Sequence, residues 1–597
     1  MNGPIARRML MLIAAALLII FHLGLIFYGL VPNLVARPLH MALILPWIFV
    51  FNDGKARGME RLWGWLICAG GVAASIWIAL NADRLADQYG FAETIGQYGA
   101  GAILLLTVLE AARRAIGWPL PIVAALALAY AFFGQHIPGQ FGHAPLPVAS
   151  LMGTLTLAEG GIWGQLTAVS VGVVAIFVIF GAVLNAGEAG QGFMNLSTAA
   201  AGKLRGGAAK VSVIASALFG SISGSASANV ASTGAVTIPS MIKLGYPRRI
   251  AAATEAVASS GGQIMPPLMG AGAFVMVELT GIPYTGIMAA ALLPAVLYFV
   301  VVWVGIDAYA RRYDLRGLPD NQRPAKRDVL VTSGFFIIPF SILLGAMFGA
   351  GYTPQYAAAL AILAATLLLL TASDLRLDPV RSLARIESAM LGASRQVAQI
   401  AAIILCASII VGVLAITGLG VKITSLILSV SGGMIWPSLL LTALACLVLG
   451  MEVPTTAAYV ICVSVAGPAL MELGLEPLQA HLFVFWFALL STITPPVCGA
   501  VFIAAGMAAE NWIRVALTAM ALGVGLYLIP LGMVAHPALL SLVDDPASAL
   551  LAMAIVGAGC AIISHALIAE RRPGRTALWT LAGFLMIFAA PLWKALG

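Results

Sequence analysis

The chain has 597 residues, 61% of them hydrophobic and 9% charged, with a formal net charge of +7 and a mean hydropathy of +1.01. A soluble fold with that balance would present large apolar patches to water, so the composition excludes anything but a polytopic membrane protein. No basic cluster is interleaved with aromatics as a nucleic-acid groove requires, and the surplus of lysine and arginine fits cytoplasmic loops instead.

Arg7 and Arg8 precede an apolar run of roughly 20 residues, which is spanning length and predicts a retained first helix with a cytoplasmic N-terminus. A second span ends near Phe51, before a basic loop carrying Lys55, Arg57 and Arg61. A third (62–81) and a fourth lead to Arg113 and Arg114, and a fifth, "WPLPIVAALALAYAFFG", exits to the loop 135–149, which holds no Lys or Arg. A sixth span (about 163–185) returns to Lys203, Arg205 and Lys210. Basic residues follow again at Lys243, Arg248 and Arg249, so 211–242 enters and leaves on one side. That predicts a re-entrant hairpin with "GSISGSASAN" (220–229) at its tip, where serines at alternate positions predict extended backbone.

Further spans are predicted at 250–280, 284–310, 330–349, 356–372 and 395–418, with "DLRLDPVRSLARIESAM" read as a separate amphipathic surface helix before the last of these. Between Ile423 and Ile513 there is no Lys or Arg, but Glu452, Glu472, Glu476 and Glu510 occur; Arg514 then marks the inside. Two final spans (548–568 and 576–595) flank "ERRPGR". The total is about 15 spans in an all-α chain.

Three pairs of segments match at an offset near 230 residues. They are "VIFGAVLNAG" with "IIVGVLAITG", "LFGSISGSASANV" with "LGMEVPTTAAYV", and "SSGGQIMPPLMGAGAF" with "LSTITPPVCGAVF". Each copy has a span, a small-and-polar hairpin and a helix broken by Pro-Pro. Only the first copy has basic flanks, so the second hairpin enters from the opposite side. Such an inverted repeat is the plan of secondary transporters with a site near the membrane midplane. The Pro-Pro pairs remove backbone donors and leave preceding carbonyls unpaired, while half-helix N-termini at each tip favour an anion. The six cysteines form no C-x-x-C pair, the seven histidines no H-E-x-x-H, and no Walker A sequence occurs. An intramembrane hydrolase using a hairpin serine lacks both a nearby His and a G-x-S-x-G elbow. Neither an enzyme nor a channel fits as well as a transporter.

The stretches "ASALFGSISGSASANV", "EAVASSGGQIMPPLMGAGAF" and "GMEVPTTAAY…TITPPV", within residues 115–535, resemble the fused membrane permeases of TRAP (tripartite ATP-independent periplasmic) transporters, TAXI subgroup. The resemblance implies residues 1–140 as a small-subunit-like domain and 141–540 as the large transport and scaffold domain. Within the latter lie repeat one (about 163–310) and repeat two (about 395–535), and residues 541–597 form two extra spans. It implies elevator-type import of a small organic anion, driven by a Na+ gradient, in a bacterial inner membrane with a periplasmic TAXI-type substrate-binding protein as partner. A standalone anion symporter without that partner is the alternative. Carried over to this chain, the sodium sites involve Ser221, Ser223, Gly224, Gly261, Gly262 and Pro266 in repeat one, and Thr492, Thr494 and Pro495 in repeat two. Substrate would lie on Ser225, Ser227, Asn229, Thr455 and Thr456. Glu452 stands where the subgroup pattern leads one to expect Gly, and Glu255 is a second carboxyl beside a hairpin. Ionisable groups at membrane depth mark ion or proton pathways, so both are candidate coupling groups, for H+ as well as Na+. Glu255 facing the interface beside Arg248 and Arg249, and Glu452 as a structural carboxyl, are the plainer readings.

Overall fold

The computed structural model describes residues 4–51, 58–450, 454–570 and 572–596. Lys55, Arg57 and the candidate coupling group Glu452 lie outside the described residues. Among the described residues every regular element is helical. Among the described residues, twelve helices are long and apolar enough to cross a membrane, and seven shorter apolar helices accompany them. Five of those seven are arms of the two hairpins or pieces of the two broken helices, which is why this number falls below the expected spans. The chain is a multi-pass integral membrane protein.

By its contacts the chain divides into two units. The first comprises Met1–Glu188, Ile337–Ser429 and Ser464–Ala466. Its backbone is Pro379–Thr417, a single helix of 39 residues. The sequence predicts a surface helix and then a separate span here; the structure joins them. Asp378 caps the N-terminus by accepting from the N–H groups of Val380 and Arg381. No proline follows within the helix, and the chain leaves it only at Gly418, in the left-handed region. Outside the span, Arg381 lies 3.1 Å from Asp374 and its hydrogen bond holds that carboxyl below the usual carboxylate range.

The second unit comprises Ala189–Phe336, Val430–Val463 and Gly467–Gly597 and carries hairpin one and, except for Ser464–Ala466, hairpin two. Repeat one runs α1 (Gly207–Ser223), α2 (Ala226–Lys243), α3 (Arg248–Gly261), α4 (Gly270–Thr280) and α5 (Tyr284–Arg312). Repeat two runs α6 (Ile435–Leu449), α7 (Thr455–Glu472), α8 (Pro477–Leu490), α9 (Gly499–Ala508), α10 (Trp512–Leu522) and α11 (Gly525–Ala535). The starts of α2 and α7, α3 and α8, and α4 and α9 are each 229 residues apart. The same interval separates the helix prolines Pro239 and Pro468 and the two Pro-Pro pairs, both of them cis.

The tip of hairpin one differs from its sequence reading. The break is two residues long, not ten. Gly224 takes a φ of +61°, which a side chain disfavours, and Ser225 caps α2 by accepting from the Ala228 N–H. Ser221 and Ser223 close α1, whereas Ser227 and Asn229 open α2. Alternation of serine with small residues is compatible with either backbone; the single glycine in the left-handed region decides where the helix ends.

Candidate functional site

Hairpin one lies backbone-to-backbone on the broken helix of its own repeat. A Cβ at Gly220 would sit 2.5 Å from the Cα of Gly262, and one at Gly224 would sit 2.7 Å from the Cα of Gly270. Asn229 is fully buried and holds the two arms and α3 together: its amide donates to the carbonyls of Ser216 (2.9 Å) and Ser259 (3.5 Å). In repeat two the equivalent approach brings Gly450 to Ser491, with a Cβ there 2.9 Å from the Ser491 hydroxyl.

The two repeats meet at their breaks. Ser260 and Thr492 share a hydrogen bond of 2.8 Å, and Gly499 at the start of α9 lies against the Ser227 hydroxyl. Thr492 and Thr494 donate to the carbonyls of Leu489 and Leu490, at 2.7 Å each, and Thr494 also bonds Tyr527. Pro266 and Pro495 are half-buried in the two breaks, as are Thr455 and Thr456 at the first turn of α7. Gly261 and Gly262 are buried, the former under the ring of Tyr298. Ser221 donates to the Leu218 carbonyl at 2.8 Å. Of Ser223 only its place in α1 is described. The structure therefore gathers the repeat-one residues around the break in the first broken helix and the repeat-two residues around the second.

Hydroxyls that spend their hydrogen on a backbone carbonyl keep their lone pairs, and lone pairs on neutral oxygens are what a hard monovalent cation takes. One oxygen here was not expected from the sequence. Gln263, in the short turn after α3, is buried, and its Oε1 has no hydrogen-bond partner. An orphaned buried acceptor beside a broken helix fits a bound cation; the donor set of the first break is compatible with sodium.

Glu255 is fully buried and makes no ion pair among the described residues. Arg248 instead donates to the Ala508 carbonyl (2.8 Å) and Arg249 to the Tyr313 hydroxyl (3.0 Å). Its partners are five hydroxyls: Ser212 (2.6 Å), Ser216 (3.0 Å), Ser259 (3.1 Å), Thr233 and Thr237. This ring was missed in the sequence, although it has a signature there. Ser212 and Ser216, Thr233 and Thr237, and Glu255 and Ser259 are each spaced by four, one helical turn.

Residues 103–546 match the family model "Tripartite ATP-independent periplasmic transporter, DctM component". The chain is 27% identical over 331 residues, 54% of its own length and 74% of the relative's, to the C4-dicarboxylate TRAP transporter large permease protein DctM of Pseudomonas aeruginosa. It is 25% identical over 447 residues, 71% of its length and 69% of the relative's, to the isethionate TRAP transporter permease protein DctMQ of Oleidesulfovibrio alaskensis. With the ectoine/5-hydroxyectoine TRAP transporter large permease protein UehC of Ruegeria pomeroyi it shares 27% identity over 257 residues, 42% of its length and 58% of the relative's. The matched segment is most of the chain, and the protein belongs to the DctM family of TRAP transporter permeases: a transport protein, not an enzyme.

Proposed function

We propose that this permease imports a small organic anion, a carboxylate by preference, handed over by a periplasmic substrate-binding protein and driven by a sodium gradient. The observation that carries the reading is the pair of matched breaks, each a hairpin seated on a broken helix and each lined by hydroxyl and carbonyl oxygens. Sodium takes the oxygens of Ser221, Ser223, Gly224, Gly261, Gly262 and Pro266 in one half, with the orphaned oxygen of Gln263 added to that set. In the other half it takes those of Thr492, Thr494 and Pro495. The anion lies on the first turns of α2 and α7, at Ser225, Ser227, Asn229, Thr455 and Thr456, where free N–H groups and the positive helix end favour negative charge.

Three finer points belong to the same reading. The apolar helices ahead of the matched segment are a small subunit fused to the large one. The motifs "GSISGSASAN" and "GMEVPTTAAY" support a TAXI-subgroup permease with a TAXI-type partner. The basic flanks of hairpin one, missing from hairpin two, support an inverted repeat moving as an elevator in a bacterial inner membrane, with Arg7 and Arg8 on the cytoplasmic side.

Counterflow in proteoliposomes, with the partner binding protein present and sodium and pH gradients imposed separately, tests this. Sodium-driven uptake that requires the partner is expected. Uptake equally fast without sodium overturns the sodium sites, and uptake without the partner favours a standalone symporter. Proton coupling is the second reading, favoured by the buried carboxyl of Glu255.

A further inference from the structure

The cradle of Glu255 exists in one repeat only. At the interval of 229 residues, Thr233 corresponds to Cys462, Thr237 to Ala466, Glu255 to Val484 and Ser259 to Ala488. The contacts Gly220–Gly262 and Gly450–Ser491 align α1 with α6, so that Ser216 corresponds to Cys446 and Ser212 to Thr442. Where the Ser216 and Thr233 hydroxyl oxygens lie 3.2 Å apart, repeat two has Cys446 and Cys462, both buried free thiols. Repeat two keeps the scaffold and, apart from Thr442, replaces the polar cluster with thiols and apolar side chains.

Within repeat one the carboxylate ties three helices. Ser212 and Ser216 belong to α1, Thr233 and Thr237 to α2, and Glu255 and Ser259 to α3. An ionised carboxylate only accepts, and five hydroxyls within hydrogen-bond reach can donate to that form and replace the water it lost on burial. Two of the five have somewhere else to point. Thr233 Oγ1 is 2.8 Å from the Asn229 carbonyl, and Thr237 Oγ1 is 3.1 Å from the Thr233 carbonyl, each one turn back in α2. Both belong to α2, the arm that begins at the tip.

We propose that Glu255 is a proton-exchanging clasp on hairpin one. Ionised, it binds both arms to α3. One proton from water added to a carboxylate oxygen turns the group into a donor; its O–H bonds one of the hydroxyls, and the hydrogens of Thr233 and Thr237 swing to their own helix carbonyls. The clasp on α2 then opens, in repeat one and not in repeat two. It rests on the transport reading only in making hairpin one part of the transport path. Adding the proton opens the clasp and removing it closes the clasp again. Ionisable groups on the packed elements are Lys210 on α1, Lys243 on α2, Arg248 and Arg249 on α3, Tyr284, Tyr298, Asp307, Tyr309, Arg311 and Arg312 on α5 and Arg514 on α10. Lys210 and Arg311 pair with Asp307, Tyr298 donates to the Val257 carbonyl, Arg312 to the Ile568 carbonyl, and none of the eleven is among the five partners of Glu255.

Hydrogen–deuterium exchange of the purified full chain tests the clasp without transport. Protection of 207–243, corrected for chemical exchange and referred to 435–472, is expected to fall about tenfold on acidification, the loss of roughly one charge-assisted hydrogen bond. In E255Q it should be low and independent of pH, and T237V should shrink the acid-sensitive step while leaving Glu255 in place. Parallel behaviour of both hairpins in the native protein overturns the proposal, as does an undiminished pH step in E255Q. Repeating the exchange at fixed pH with and without sodium chloride separates a second source of charge: sodium-dependent protection of 207–243 that vanishes in E255Q overturns the proton assignment. A sodium-free transporter with the pH step intact defeats the sodium reading and leaves the clasp standing.

Discussion

Adding one methyl group to Gly220 or Gly262 should separate hairpin one from the broken helix. A Cβ at Gly220 falls 2.5 Å from the Gly262 Cα and 2.8 Å from the Asn229 Nδ2. At Gly262 it falls 2.6 Å from the Gly220 Cα and 2.7 Å from the Ser216 carbonyl oxygen. Carbon atoms pack at about 3.5–4.0 Å, so the two backbones must part by ~1 Å in either variant. Backbone atoms have no rotamer to escape into. Overpacking of this kind costs about 1–3 kcal/mol. The Asn229 bond to Ser216, 2.9 Å long, is stretched with it, for about 1 kcal/mol more. Gly392→Ala is the control, since nothing lies within 4 Å of a Cβ there and alanine favours the long helix by ~0.5–1 kcal/mol. The assay is thermal unfolding in detergent, with counterflow measured on the same preparations. Gly220→Ala and Gly262→Ala should melt lower and transport more slowly, and Gly392→Ala should do neither. Native melting and native uptake in both hairpin variants would refute the close backbone packing on which the site is built.

Ser260→Ala and Thr492→Ala should each destabilise by about 0.5–1.5 kcal/mol, and the double variant by less than the sum, because the two hydroxyls share one bond of 2.8 Å; a double-mutant cycle on unfolding reads the coupling. Arg248→Ala removes a charged donor 2.8 Å from the Ala508 carbonyl and should cost about 1.5–3 kcal/mol, only partly recovered in Arg248→Lys, as followed by the melting temperature. Ala509 holds a φ of +49°, so Ala509→Gly should raise the melting temperature, relieving roughly 1 kcal/mol of backbone strain.

Hydropathy and charge point to most of the long apolar helices, because spanning length and basic flanks act over about twenty residues, but not to the shorter ones at Val148–Thr156, Ala189–Ala201 and Leu419–Val430. The two hairpins and broken helices were legible for the same reason: Gly224, Pro266-Pro267 and Pro495-Pro496 punctuate the pattern, and their recurrence at a fixed interval marks the repeat. The length of the break was not legible. Whether Ser221 and Ser223 are helical depends on α1 finding α3 beneath it, which no local pattern records. The surface helix and span at Pro379–Thr417 fused for a related reason: a change from amphipathic to apolar residues is a change of surroundings, not of backbone. The five hydroxyls of the Glu255 ring were legible only as pairs four apart, and such pairs are frequent on membrane helices. What joins them is a carboxyl on a third helix, and that is tertiary information.

A break of two residues is also the smallest irregularity that makes a site. Each residue removed from a helix at membrane depth frees an N–H and a C=O that lipid leaves unpaired. Hairpin one limits that exposure by turning at Gly224, capping α2 at once with Ser225 and pressing Gly220 and Gly224 onto Gly262 and Gly270, so that protein surrounds the few freed groups. A glycine–glycine contact permits this approach where a side chain would hold the arms away. Repeat two solves the same problem with Gly450 against Ser491, leaving a hydroxyl in the contact. Two copies of one scaffold thus carry unequal chemistry. The first offers a close backbone seam with a carboxylate cradle beside it, and the second a hydroxyl-lined break with buried free cysteines at the cradle positions. A symmetric pair of cation sites would need only the breaks. The extra carboxylate beside one of them gives that hairpin a second control, and the two halves need not open under the same conditions.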